Sequence, residues 1–297
     1  MISLAALADL YQQHRSEAGT RVGPLRVGER SYDVDDRPLV LGTINLSRDS
    51  TYRESVAVSA DSAIRRGRVL AAQGADVVDI GAESSTAKAR RVAADEQIAL
   101  LSPVVRALAA DGVQVSVETY VPEVAEVCLS LGAVMVNYTG HDTQEAMFDL
   151  VARHTATLLL CRVTGGNVRD VSDVPLDQDP VPELLEHFTA RVELARRHGV
   201  ERIILDPAMG FYYANLTEPD VRVAHQTRVL LNTFRLSSLG LPVCHAIPHA
   251  FDLFEDEFRV AEGFFSVLAY LGGTTVFRTH EVPRVTAVLM AMRALSL

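Results

Sequence analysis

Polar and charged side chains stand where several apolar runs of this sequence end. The sequence has 297 residues, and these polar positions are Asn45, Ser47, Arg48, Asp49, Ser50, Asp79, Glu83, Ser84, Ser85, Glu118, Asn137, Arg162, Asp206, His245, His249, Arg278 and His280. A polar group that is buried without a partner costs about 1–3 kcal/mol. These side chains therefore either satisfy one another or bind a ligand, and they are the first candidates for chemistry.

Three of these side chains suit the recognition of a planar heterocycle. A carboxylate such as Asp206 accepts two parallel hydrogen bonds, from an amino group and from a neighbouring ring N–H. The amide of Asn137 pairs with an adjacent donor and acceptor, and the guanidinium of Arg278 stacks on a ring or binds an anion. Asp206 also fits a turn at a strand end, and Glu118 also fits a salt bridge with an arginine.

The histidines allow a second interpretation, a zinc or iron site. His245, His249 and His280, with Asp206 or Glu118, are residue types that bind these metals. Their spacing matches no closed metal motif, which favours roles as hydrogen-bonding groups or phosphate contacts.

Eight short β-branched runs must position these residues. They predict strands at residues 39–46, 77–82, 113–119, 134–139, 156–163, 202–207, 241–246 and 274–280. The stretches between them repeat apolar residues every three or four positions and often end at glycine, as amphipathic helices do. Strands this apolar, each followed by a helix, predict a closed (β/α)8 TIM barrel. An open doubly wound sheet is the alternative, but the glycine-rich phosphate motifs of such folds are absent from the sequence.

The chain divides into an N-terminal extension, residues 1–37, and a single barrel, residues 38–297. The extension has an amphipathic pattern at residues 3–16 and a turn at Gly28 and Glu29, which predict a helix and a hairpin that closes the N-terminal end of the barrel.

Composition excludes several classes of partner. The formal net charge of −10 opposes binding to nucleic acid or to an anionic membrane. No apolar run approaches the ~20 residues of a membrane span, and the N-terminus lacks a secretory pattern. Cys128, Cys161 and Cys244 are widely spaced, which is typical of reduced thiols. We therefore expect a cytoplasmic protein.

Six segments resemble, in order, the motifs of the dihydropteroate synthase family of pterin-binding barrels. They are GTINLSRDS (42–50), VVDIGAESS (77–85), VSVETY (115–120), VNYTG (136–140), ILDPAMGF (204–211) and VFRTHEV (276–282). The resemblance implies a transferase of folate synthesis, which holds a pterin diphosphate and displaces its diphosphate with the amine of p-aminobenzoate.

The resemblance also implies roles for individual residues. Asp206 and Asn137 would hold the pterin, Glu118 would be a second pterin-binding carboxylate, and Arg278 with His280 would bind the diphosphate. We accordingly predict as catalytic Asn45, Arg48, Asp49, Arg278 and His280, with Asn45 also the ligand of a magnesium ion. We predict as substrate-binding Glu118, Asn137, Asp206, Arg162, His245 and His249.

Two departures from the family pattern remove cations. After the seventh strand, the family's Ser-Arg-Lys-Ser is replaced by residues 248–251, so that Ala250 stands at the lysine position; in the second loop, Thr86 stands at an arginine position. The loss of one such donor at a developing negative charge slows a reaction by ~10²–10³. We therefore expect an altered reaction unless Arg48, Lys88 or His249 compensates.

Two other functions stay open. The chain would be a catalytically silent paralogue that binds a pterin or a partner enzyme, or a pterin-dependent methyl-transfer barrel that serves a corrinoid protein. The family resemblance and an apolar stripe at residues 283–297 further predict a homodimer through the last helices.

Overall fold

The computed structural model describes residues 2–47, 49, 56–57, 59–86, 89–170, 173–176, 179–211 and 213–295. Arg48, Ser50 and Lys88, named above, lie outside these residues. The strands are β1 (Pro24–Val27), β2 (Arg30–Asp33), β3 (Leu39–Asn45), β4 (Val77–Gly81), β5 (Val115–Thr119), β6 (Met135–Tyr138), β7 (Thr157–Cys161), β8 (Arg202–Asp206), β9 (Cys244–Ala246) and β10 (Val276–Thr279). The helices are α1 (Leu4–Gln13), α2 (Ala60–Ala72), α3 (Ala94–Ala110), α4 (Pro122–Ser130), α5 (Gln144–Arg153), α6 (Val181–Arg197), α7 (Pro219–Leu231), α8 (Phe251–Phe254), α9 (Phe258–Leu271) and α10 (Val282–Ala294).

Eight strands form one parallel sheet in the order β8-β7-β6-β5-β4-β3-β10-β9. Its two edges meet at Leu205, which bridges Val243 and donates its N–H to the carbonyl of Pro242 over 2.9 Å. This contact brings the sheet round into a barrel, and the helices pack on its outside. The predicted (β/α)8 barrel is confirmed, and the open sheet is wrong.

Alternate side chains of each strand face opposite sides of the barrel wall. In β7, Leu158 and Leu160 pack in the outer cluster between sheet and helices, whereas Leu159 and Cys161 belong to the inner cluster. A strand buried on both faces needs apolar residues at successive positions, which explains the run TLLLC. The same alternation decides which polar side chains reach the barrel interior.

An N-terminal hairpin closes the lower end of the barrel. β1 and β2 pair antiparallel around Gly28, whose φ of 55° lies in the left-handed region that glycine adopts without strain. Leu25 and Val27 of the hairpin are buried in the inner cluster together with Leu39 and Met135. The predicted helix and hairpin are thus confirmed. In the described parts of the chain, no helix is long and apolar enough to cross a membrane.

The strand register collects the polar side chains at the other end. Glu118 pairs with Asn137 across β5 and β6, and Cys161 pairs with Asp206 across β7 and β8. Because the strands are parallel, their C-terminal ends surround one opening, where barrels of this kind form their sites.

Candidate active site

A cavity of about 410 Å³ opens at the C-terminal ends of the barrel strands. Its lining includes the predicted site residues Asn45, Glu118, Asn137, Asp206, His249, Arg278 and His280. The loops after the strands contribute further wall residues, among them Ser47, Glu83, Ser84, Met209, Phe211, Tyr213, Ala250 and Phe251. The structure therefore brings most of the predicted residues together in one place.

Four polar side chains on the cavity floor form one network. Nε of Arg278 lies 2.7 Å from Oδ2 of Asp79, and Nη2 of Arg278 donates to Oε2 of Glu118. Nδ2 of Asn137 donates to the same Oδ2 of Asp79 over 3.0 Å. The other oxygen of Asp79, Oδ1, is buried without a hydrogen-bond partner among the described residues. Asp79 is not among the residues that line the cavity, so it orients Arg278 and Asn137, which do line it.

The orientation of the Asn137 amide is fixed from both sides. Its Nδ2 donates to Asp79, and its Oδ1 accepts from the thiol of Cys161, with 3.2 Å between Sγ and Oδ1. Burial, reinforced by Asp206 and Glu118, raises the pKa of Cys161 well above its ordinary value, so the thiol keeps the proton that it donates. Asn137 is therefore held in one orientation for a ligand.

Asp206 ends β8 at the edge of this network. Its Oδ1 accepts the N–H of Ala208 over 2.7 Å, so the strand-end turn considered above is present, and Asp206 lines the cavity as well. Burial raises the pKa of Asp206 to about 7, although the N–H of Ala208 acts in the opposite direction. A carboxyl group with this pKa exchanges its proton near neutral pH.

The floor holds more carboxyl groups than cations. Burial opposes the charge of Arg278, but Glu118 and Asp79 raise the pKa of Arg278 above its ordinary value, so the guanidinium stays charged. Burial also raises the pKa of Glu118, with Arg278 acting against it. One guanidinium faces three carboxyl groups including Asp206, so the floor suits a ligand that donates hydrogen bonds.

Two histidines stand side by side in the cavity wall. The ring centroids of His249 and His280 are 5.2 Å apart, and His249 stacks on Phe251 at 5.3 Å with 7° between the ring planes. Burial, with His249 and Arg278, holds the pKa of His280 well below its ordinary value. His280 is therefore neutral and serves as a hydrogen-bonding group.

A family model described as pterin binding enzyme matches residues 41–280, a span that contains all the floor residues. The chain belongs to the pterin binding enzyme family. The chain is 29% identical over 284 residues to a dihydropteroate synthase of Synechocystis, covering 92% of this chain and 95% of that protein. It is 32% identical over 207 residues to one of Staphylococcus haemolyticus, covering 66% of this chain and 74% of that protein.

Solved structures agree with these relatives. Dihydropteroate synthase of Xanthomonas albilineans with 4-aminobenzoic acid superposes with a TM-score of 0.77 at 27% identity, covering 91% of this chain and 97% of that one. The prediction of an enzyme of the dihydropteroate synthase kind, a transferase that acts on small molecules, is confirmed.

Two predicted substrate-binding residues of this pterin binding enzyme face away from the cavity. Arg162 directs its guanidinium to Glu183 on α6, with 2.8 Å between Nη2 and Oε1. Nε2 of His245 lies 2.8 Å from the hydroxyl of Thr233, and burial lowers the pKa of His245 to about 3. Both occupy outward positions of their strands, so the prediction of substrate contact is corrected for both.

Asp49 is described but does not line the cavity. Its Oδ2 accepts the N–H of Arg90 over 3.2 Å, and its carbonyl accepts the hydroxyl of Ser84 over 3.2 Å. Asp49 therefore joins the first loop to the second, and its predicted catalytic role is corrected to one of holding Ser84, which does line the cavity.

Three residues of the site have no role in the sequence-based prediction. Asp79 is one: it stands among the candidate polar positions named from the sequence, but no catalytic or binding role was predicted for it. Glu262 on α9 lies behind His249, and Arg222 on α7 lines the cavity and donates to Asp252 over 2.6 Å. Nothing in the pattern of a surface helix distinguishes Arg222 from a solvent-exposed arginine.

Asn45 ends β3 in the cavity wall and is the predicted magnesium ligand. Mg²⁺ usually binds through one or two protein oxygens and takes its other ligands from water and substrate phosphates. Across the described ranges, no group of three or more His, Cys, Asp or Glu side chains is placed to hold a metal ion. One amide oxygen fits a magnesium ion that binds together with a diphosphate, whereas the alternative of a zinc or iron site is not formed.

Proposed function

We propose that this enzyme condenses an amine with an activated pterin-like ring and releases diphosphate. The observation that carries the proposal is the cavity floor, where Asp79, Glu118 and Asp206 surround the guanidinium of Arg278. A pterin presents an amino group beside a ring N–H, and carboxylates accept such donors in parallel.

The reaction exchanges one bond for another. The C–O bond between the ring's methylene carbon and the diphosphate breaks, and its electron pair goes to the leaving oxygen. The amine lone pair forms the new C–N bond, and the amine loses a proton to water. Arg278 retains N–H donors beyond the Nε and Nη2 that its carboxylates occupy, and His280 supplies a neutral imidazole. Both therefore stabilise the charge that develops on the diphosphate.

Asn45 is the residue in place to hold magnesium. A bound magnesium ion neutralises part of the diphosphate charge. The amide side chain of Asn45 contributes an oxygen ligand without adding a further negative charge to a site that already holds three carboxyl groups.

The cavity wall formed by the loop after β9 differs from the family pattern. Ala250 and Phe251 occupy the positions of the motif's lysine and second serine, and Phe211 and Tyr213 add apolar surface nearby. Arg222 is a cation in this wall, and Asp252 already pairs with it. We propose that the second substrate is an aromatic amine whose contacts differ from those made by the family's Ser-Arg-Lys-Ser motif.

The proposal is tested by binding and by product formation. Titration calorimetry with hydroxymethyl-dihydropterin diphosphate, with and without magnesium, is expected to show binding that magnesium strengthens. Mass spectrometry is then expected to show an adduct with at least one aromatic amine from a panel that includes 4-aminobenzoate. Binding without any adduct identifies a silent paralogue, and absence of binding overturns the assignment of the ring.

We also propose a homodimer formed through the last helices. Val260, Phe264 and Leu271 of α9 and Met290 of α10 are exposed apolar side chains, and the first three share one helix face. Analytical ultracentrifugation is expected to show a dimer for the wild-type protein and a monomer for Leu271→Glu. A wild-type protein that stays monomeric at every concentration contradicts this proposal.

A cytoplasmic location is the remaining part of the proposal. Cys128, Cys161 and Cys244 are free and buried, which supports a reducing compartment. Fractionation of cells that express the protein from its own gene tests the location.

A further inference from the structure

Glu262 is a carboxylate inside a largely apolar helix. Its side chain is fully buried in α9. It accepts hydrogen bonds from the hydroxyl of Thr279 and from the N–H groups of His280 and Glu281, the last two over 3.2 and 3.3 Å. Three donors aimed at one side chain fit an anionic acceptor, and they fix Glu262 beneath the strand end that carries His280.

His249 lies between the carboxylate of Glu262 and the cavity. Nε2 of His249 lies 2.9 Å from Oε1 of Glu262, a distance at which a protonated imidazole forms an ion pair. One face of the His249 ring stacks on Phe251. His249 therefore contacts a buried anion through Nε2 and an aromatic ring through its face, and it lines the cavity.

The geometry assigns the proton to one of two neighbouring imidazoles. Two positive charges 5.2 Å apart repel, so the pair of His249 and His280 holds one proton more readily than two. Glu262 contacts the side chain of His249 but only the backbone N–H of His280. Arg278 and Arg66 act against a charge on His280. The proton therefore belongs on His249.

We propose that Glu262 is a positioning residue that holds His249 as an imidazolium at the diphosphate end of the cavity. This proposal rests on the proposed function, because it assigns to His249 the part of a cation that the family's Ser-Arg-Lys-Ser motif supplies and Ala250 does not. His249 acts here by charge and forms no covalent bond. Arg222 and Asp252 form the other charged pair in this wall and neutralise each other.

The test separates anion binding from ring binding. Calorimetry without divalent cations measures the affinity of inorganic diphosphate and, separately, of hydroxymethylpterin, which carries no phosphate. We expect Glu262→Gln to weaken diphosphate binding about tenfold, the effect of losing one charge-assisted contact, and to leave hydroxymethylpterin binding unchanged. Glu257→Gln, an exposed site shortly before α9, is the matched control and is expected to change neither affinity.

A double variant supplies a readout that a structural role does not change. Glu262→Gln combined with His249→Arg is expected to restore diphosphate affinity, because arginine stays charged without a carboxylate partner. If Glu262→Gln fails to fold, the partly exposed His249→Gln gives the same loss of diphosphate binding.

The outcomes distinguish the two proposals. Equal diphosphate affinity in wild type and Glu262→Gln overturns the role of Glu262, even where hydroxymethylpterin still binds. Failure of the wild-type protein to bind hydroxymethylpterin overturns the proposed function instead, and the diphosphate measurements still decide the role of Glu262.

Discussion

Arg278 reaches Asp79 across an intervening strand. Nε of Arg278 on β10 lies 2.7 Å from Oδ2 of Asp79 on β4, and β3 runs between them in the sheet. The same oxygen accepts from Asn137 on β6. One carboxylate oxygen thus joins three strands beneath the cavity and orients two of the side chains that line it.

Asp79→Asn is expected to lower kcat/KM for the pterin diphosphate about a hundredfold, because a neutral amide holds Arg278 and Asn137 in place less firmly than a carboxylate. It is also expected to lower the free energy of unfolding by up to about 3 kcal/mol, since a buried arginine loses one partner. Asp76→Asn is the control, because it breaks the ion pair with Arg37 just before the same strand, outside the cavity. An equal loss of kcat/KM in both variants contradicts a site role for Asp79.

Asp206 links stability to pH. Burial raises the pKa of Asp206 from its ordinary 3.8 to about 7, so the folded state favours the protonated form. The stability that this provides is fully present below about pH 4 and is lost as the pH rises through about 7. An asparagine at this position does not ionise, so Asp206→Asn does not lose this stability at high pH. We expect the free energy of unfolding of Asp206→Asn to exceed that of wild type by roughly 2–4 kcal/mol at about pH 8 and to equal it at about pH 4.

The affinity for the pterin ring is expected to depend on pH in the opposite direction to the stability, again because of Asp206. The ionised carboxylate accepts from the ring, so wild-type affinity for hydroxymethylpterin is expected to fall as the pH drops below about 7. Asp206→Asn is expected to weaken this binding about a hundredfold, because its NH₂ group faces ring donors. Asp9→Asn on exposed α1 controls for the loss of one charge. If Asp206→Asn is more stable than wild type and still binds hydroxymethylpterin with wild-type affinity, the assigned contact between Asp206 and the ring is wrong.

Most of the fold can be predicted from the sequence, because each strand, helix and turn is indicated by its own short segment. The run LVLGTIN of β3 and the turn at Gly28 each report their own conformation, and the structure reproduces both. β9 is shorter than predicted, at Cys244–Ala246, because Val243 pairs only through isolated contacts where the barrel closes. Closure is a property of the whole sheet, so no single segment specifies it.

The site is harder to predict from the sequence than the fold, because successive side chains of a strand point to opposite faces of the sheet. Cys161 faces the interior and Arg162 the outer layer, and the run TLLLCRV is apolar on both faces and gives no sign of this parity. Glu262 was missed for another reason, since its contact with His249 depends on how α9 packs against the strand ends. A carboxylate in the buried stripe of an apolar helix is nevertheless a signal that such a partner exists.

Ala250→Lys tests whether the missing family cation limits the reaction. An ammonium at this wall is expected to speed diphosphate release with 4-aminobenzoate about tenfold or more, because it stabilises the charge that develops on the leaving group. Ala250 is buried, so the free energy of unfolding is expected to fall by about 1–3 kcal/mol. Ala250→Met adds similar length without charge and is expected to give no acceleration. If the two variants release diphosphate at the same rate, a cation at this position is not what the site lacks.

Ala208→Gly is expected to stabilise the folded protein. Ala208 has a φ of 63° in the turn after Asp206. An L-residue in this left-handed region costs roughly 1–2 kcal/mol, and glycine loses about 0.4–1 kcal/mol more entropy on folding. Urea unfolding is therefore expected to show a gain of roughly 0.5–1 kcal/mol for Ala208→Gly. Ala287→Gly, exposed within α10, makes the same chemical change in a helix and is expected to lose roughly 0.5–1 kcal/mol. Equal losses in both variants contradict a left-handed turn at Ala208.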